Sequence, residues 1–182
     1  MSGFDLKDTE RRMRGALTVL KQEFGGLRTG RANMSLLDPI MVNAYGSQMP
    51  LNQLATVNVP ESRLITVQVW DRSQVGAVER AIRESDLGLN PVVEGQLLRL
   101  PIPELNEERR KELVKVVHKY AEDGKVAVRH ARTHAREVLK KLSGVSEDDV
   151  KHAEKDLQKV HDDFIHKIDE LIKAKEAEIM EV

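Results

Sequence analysis

The sequence predicts an α+β protein: an elongated antiparallel three-helix bundle with an inserted small β/α/β domain. Two observations carry this. All six prolines (Pro39, Pro50, Pro60, Pro91, Pro101, Pro103) fall in one stretch, and a proline costs about 3 kcal/mol inside a helix. Residues 1–30 and 104–182 hold none and carry apolar seams at helical spacing instead. The chain is therefore expected to leave a helical body near Gly30 and return near Glu104. That places the bundle on residues 1–30 and 105–182 and the insert on 31–104. Two neighbouring linkers, at about 29–32 and 101–106, then form a hinge of Gly30, Arg31, Pro101, Pro103 and Glu104. Glycine there permits a change of backbone angles, and the prolines stiffen the returning strand.

The first helix is marked by Leu6, Met13, Leu17, Leu20, Phe24 and Leu27, and Gly30 is its expected stop. The second is expected to start at Asn106, a good N-cap, with Glu107 and Glu108 in its first turn. Its seam reads Leu113, Val117, Tyr120, Gly124, Ala127, Ala131, Ala135, Val138 and Leu142. The seam continues on both sides of Asp123-Gly124, so one helix of about 35 residues, roughly 50 Å long, is expected, ending at Gly144. Ser146 to Asp149 resembles a capping box for a third helix, with a seam of Val150, Ala153, Leu157, Val160, Phe164, Ile168, Leu171 and Ile179. In the insert, Ile40–Tyr45, Leu64–Trp70 and, more weakly, Ala55–Val59 have strand composition. Ser73 is the expected cap of a short helix on Val75, Val78 and Ile82, and Leu97–Leu100 the closing strand.

Composition limits the function classes. The absence of cysteine excludes disulfides, thiol catalysis and cysteine-bound zinc, and it fits a reducing compartment. A polar N-terminus and the lack of a long apolar run lead us to expect a cytoplasmic protein with no membrane partner. The net charge of −1 hides segregation. Residues 106–145 hold eleven Lys/Arg against six Asp/Glu, and residues 146–182 hold six against twelve. The stretch 31–105 has six arginines, eight acids and no lysine.

The sharpest motif is a basic stripe on the second long helix. Lys111, Lys115, His118, Lys125, Arg129, Arg132, Arg136 and Lys140 recur at steps of three and four, with Glu122 in the one missing slot. Such a stripe is either a solvated face pairing with the acidic third helix or a track for a repeating anion. Guanidinium forks suit phosphate oxygens, and a rigid helix holds them in register. His130 and His134 have the spacing of metal ligands but lack a third ligand, and no metal or other cofactor is expected. Gly25–Arg31 is glycine-rich without the ending of a nucleotide cradle, and no catalytic set emerges, so no enzyme is expected. Two rivals differ by class: a coiled-coil adaptor, whose binding would tolerate salt, and a small enzyme in the insert, which would need a perturbed acid–base cluster.

Four segments in order carry a family resemblance: Leu27–Ala32, Asp86–Pro91, Leu105–Lys111, and Val126–Arg129 followed by Arg132. The chain resembles ribosome recycling factors over essentially its whole length. The resemblance implies an L-shaped outline. It also implies a translation factor that binds the post-termination ribosome and, with elongation factor G and GTP, splits the subunits and releases them from mRNA for reuse. It further implies a monomer whose helical arm lies on large-subunit ribosomal RNA. Arg129 and Arg132 would be the central contacts, with Lys125 and Arg136 on the same stripe and Arg28, Arg31 and Arg110 near the hinge. The chain departs from the family pattern at Ala44, His130 and Thr133. The last weakens the local charge and leaves more of the binding to Arg132 and Arg136.

Overall fold

In a computed structural model of the chain, which describes residues 4–181, the fold is α+β. Chain order is α1 (Leu6–Gly25), β1 (Met41–Ala44), β2 (Ser47–Pro50), β3 (Ala55–Glu61), β4 (Leu64–Val69), α2 (Val75–Arg83), β5 (Val92–Glu94), β6 (Leu97–Pro101), α3 (Glu107–Lys140) and α4 (Glu147–Met180). Contacts divide it into two compact units. Among the described residues, one holds 4–24 with Val114–Ala177; the other holds Gly25–Leu113 with 178–181.

The first unit is built on α1, α3 and α4. Phe4, Leu6 and Leu142 pack against Ala135, Leu139, Ala153 and Leu157, joining the start of α1 to the end of α3 and the start of α4. Farther along, Gly124 lies beside Leu20 and Ile168. α1 therefore runs antiparallel to α3 and parallel to α4. The capping expectations hold: Asn106 Oδ1 accepts from the Arg109 N–H (2.7 Å), and Ser146 Oγ accepts from the Asp149 N–H (3.1 Å). Gly124 does not interrupt α3, whose 34 residues are continuous.

The seams differ in detail from the sequence reading. On α3 the buried residues are Leu113, Val117, Ala121, Gly124, Val128, Ala131, Ala135 and Leu139, while Ala127 is exposed and Tyr120, Val138 and Leu142 are half-buried. Small residues on both sides of Gly124 blur the apolar periodicity, so the reading slipped by one position. On α4, Lys175 is buried in a slot that an apolar count passes over. On α1, Thr9 is buried, and the helix ends at Gly25, five residues before the expected stop at Gly30. Two adjacent glycines are enough to end a helix whose packing face is finished at Phe24.

The second unit holds a β1–β2 hairpin, α2 and a four-stranded antiparallel sheet of order β3-β4-β6-β5. Its core includes Leu36, Val42, Ile65, Val67, Val78, Ile82, Leu98 and Leu100. β6 lies inside this sheet, between β4 and β5. It is the last strand in chain order, as its place in the sequence suggests, but not an edge strand. The short edge strand β5, behind Pro91, was missed, as was β2, because three or four residues are too few to show an alternation. Nor does Ser73 cap α2. Asp71 caps a preceding 3-10 turn over Arg72–Gln74, accepting the Ser73 N–H at 2.9 Å, and α2 follows from it.

Candidate nucleic-acid interface

The basic stripe of α3 forms one flank of its buried face, and α4 answers it only in part. His118 pairs with Glu176, and Lys125 Nζ lies 2.7 Å from Asp169 Oδ1, both carboxylates belonging to α4. The next positions are met differently. Arg129, exposed, reaches Glu122 of its own helix at 3.1 Å. Glu122 is the acid in the missing slot of the stripe. Arg132 and Arg136 are half-buried and form no ion pair or hydrogen bond among the described residues. Asp162 of α4 feels the charge of Arg132. His161, first, then Gln158 and Arg132 hold it below the usual carboxylate range. From residue 125 to 140 the helix carries five Lys/Arg and one acid, Glu137. Along the stripe, α4 carboxylates thus meet His118 and Lys125, and none pairs with Arg129, Arg132 or Arg136.

In the second unit, Arg28 lies close to Arg109, and desolvation, then the Arg109 charge, lower its pKa. Arg28 Nη1 and Arg110 Nε are buried without a hydrogen-bond partner among the described residues. These donors are unsatisfied, the condition that favours an added anion. Arg109 was absent from the sequence reading; its signal was only its place one turn inside α3, beside Arg110.

The expected hinge residues meet around the β3–β4 turn. The Ala32 N–H donates to Ser62 O (2.7 Å) and the Ile102 N–H to Arg63 O (2.8 Å), so the outgoing and returning strands hang on adjacent residues. Arg63 and Glu104 pair at 2.7 Å, and Arg31 and Glu181 at 3.7 Å. Gly30 has φ +82°, in the left-handed region where glycine is favoured. Pro101 and Pro103 are exposed, and Ile102 between them is buried.

Among the described residues no helix is long and apolar enough to cross a membrane, and no group of three or more His, Asp or Glu side chains is placed to hold a metal ion.

The family model described as ribosome recycling factor matches residues 20–180. The chain belongs to the ribosome recycling factor family. It is 61% identical over 184 residues to the ribosome-recycling factor of Azorhizobium caulinodans, covering 100% of this chain and 99% of that one. It is 64% identical over 182 residues to that of Bradyrhizobium diazoefficiens, covering 98% and 97%. A solution structure of a ribosome recycling factor superposes with a TM-score of 0.78 at 47% identity, over 97% of this chain and 96% of that one. A second neighbour has a TM-score of 0.68 at 49% identity, with 96% of each chain covered. It is the T. thermophilus ribosome recycling factor described with E. coli elongation factor G, bound to the E. coli post-termination complex. Family members are translation factors, and the four segments that carry the resemblance lie in or beside the elements described above.

Proposed function

We propose that this protein binds the post-termination ribosome and, together with elongation factor G and GTP, splits the subunits and frees them from mRNA. The observation that carries this reading, beyond family membership, is the half of the α3 stripe that α4 leaves without a carboxylate partner. Arg129, Arg132 and Arg136 present guanidinium groups in register on a rigid helix, with no α4 carboxylate bonded to any of them. Large-subunit ribosomal RNA is the ligand that such a track suits, since phosphates repeat and base readout needs stacking platforms that α3 lacks. Lys125 borders the track, while Arg28, Arg31 and Arg110 add charge near the linkers.

The mechanism is mechanical. The helical part is anchored on RNA, and elongation factor G pushes the other part. The chain yields at a hinge of Gly30, Arg31, Pro101, Pro103 and Glu104, with the bundle on 1–30 and 105–182 and the insert on 31–104. GTP hydrolysis belongs to elongation factor G, and this chain acts as a monomer in the cytoplasm without a cofactor. Light scattering of intact ribosomes tests the reading. Scattering is expected to fall only when this protein, elongation factor G and GTP are all present. A fall without this protein, or none with all three, contradicts it.

A further inference from the structure

Six aromatic side chains are spread along the chain, and the two that are exposed share one corner of the second unit. Tyr45 is 63% exposed and Trp70, the only tryptophan, 57%, while Phe24 and Phe164 are buried and Phe4 and Tyr120 half-buried. The corner is assembled from three connections. Tyr45 begins the β1–β2 turn, with φ +53°, unusual for a residue other than glycine. Its hydroxyl donates to Asp71, which also accepts from the backbone and side chain of Ser73. Trp70 Nε1 donates to Thr56 Oγ1 at 2.8 Å, fixing the indole from the neighbouring strand. Gln96, from the β5–β6 turn, donates to Val69 O and Trp70 O at 3.0 and 3.2 Å. Both rings are thus held in place yet open to solvent. Exposed aromatics of low conformational freedom are the usual anchors of protein interfaces.

Charge selects the occupant. The stretch 31–105 has no lysine, and four of its six arginines are ion-paired: Arg31 with Glu181, Arg63 with Glu104, Arg83 with Glu79 and Arg99 with Glu94. Such a surface does not suit a polyanion. Arg72, next to Trp70 and Asp71, is exposed and forms no ion pair among the described residues. We infer that the Tyr45–Trp70–Arg72 corner is a docking anchor for a protein surface, an apolar pocket for the rings rimmed by a carboxylate for Arg72. On the functional reading above, on which this assignment rests, that surface belongs to elongation factor G.

The test uses the full chain with Trp70→Ala and Arg72→Glu, each checked for an unchanged far-UV dichroism melt. Two quantities are read: affinity for vacant ribosomes without elongation factor G, and the concentration of elongation factor G giving half-maximal subunit splitting. Affinity is expected to be unchanged in both variants. The elongation factor G requirement is expected to rise roughly tenfold or more, and Trp70→Phe to recover most of the loss. If Trp70→Ala does not fold, Arg72→Glu, which leaves both rings in place, carries the test. An unchanged elongation factor G requirement in the folded variants overturns the inference. So does a loss of affinity for vacant ribosomes alone, which would place the corner on the ribosome. If the unaltered protein binds ribosomes but splitting does not depend on it, the functional reading itself fails, and the occupant assigned here fails with it.

Discussion

Lys125 Nζ lies 2.7 Å from Asp169 Oδ1, and this pair marks a division along the basic face of α3. At Lys125 and at His118 before it, α4 supplies carboxylates. Beyond it, Arg129, Arg132, Arg136 and Lys140 meet none directly. A helix twists its stripe past a neighbour whose own acids are placed unevenly, so equal spacing in sequence becomes unequal pairing in space. Arg136→Ala is therefore expected to weaken ribosome binding more than Lys125→Ala. Each charged hydrogen bond lost to phosphate costs about 1.5–3 kcal/mol. Loss of the half-exposed Lys125–Asp169 pair costs at most about 1 kcal/mol of stability. Equilibrium sedimentation with ribosomes separates the two, and equal effects would contradict the division.

Gly124 offers a stabilising substitution. A Cβ there would sit 3.5 Å from Leu20 Cδ2 and 3.7 Å from Ile168 Cδ1, ordinary contact distances. Gly124→Ala thus removes a helix cost of about 1 kcal/mol without a clash. Denaturant unfolding is expected to show a higher midpoint by that order. A lower midpoint would mean that the three helices cannot accept a methyl group.

Gly30 is the converse case. Its φ of +82° disfavours any side chain, and a Cβ would come within 3.3 Å of Leu105 Cγ. Gly30→Ala is expected to destabilise the second unit by about 1–2 kcal/mol. Hydrogen exchange at Ile65 and Val67 reads this directly, and unchanged protection would contradict it.

Tyr45 and Asp71 move one another's titration. The bond to Asp71, first, raises the phenol pKa, and the bonds from Tyr45 and Ser73 lower that of the carboxyl. For the tyrosine, the neutral form is favoured in the fold, so its contribution is present below the ordinary phenol value of 10.0 and lost as pH rises through the raised one. For Asp71 the contribution is present above the ordinary 3.8 and lost as pH falls through the lowered one. Asp71→Asn is expected to return Tyr45 toward its ordinary value in an ultraviolet titration of the phenolate. No change would mean that the bond does not form in solution.

Much of the helical part was legible in the sequence because long seams average over single positions. Asn106 and Ser146 announced their helices, and the confinement of proline announced where the strands lie. The slip on α3 came from Ala121, Ala127 and Gly124, small side chains whose burial is decided by neighbours rather than by their own hydrophobicity. Lys175 was invisible because a buried lysine breaks the pattern that a seam follows. In the second unit, β2 and β5 were too short to show alternation, and β6 could be located but not ordered, since strand order is set by packing. The stripe residues could be found by spacing, whereas the pairing of Lys125 with Asp169 depends on the rotation of two helices. The Tyr45–Trp70 corner was hidden for the same reason: its parts come from separate connections.

The central claim is that Arg129, Arg132 and Arg136 form the phosphate track. The most direct measurement is the salt dependence of ribosome binding by the unaltered chain and by the triple alanine variant. Each phosphate contact contributes a slope of about 0.7–0.9 in log affinity against log salt. The account predicts that the triple variant binds more weakly and that its slope is shallower by about 2 to 3. Parallel lines, or equal affinity across the salt range, would contradict it.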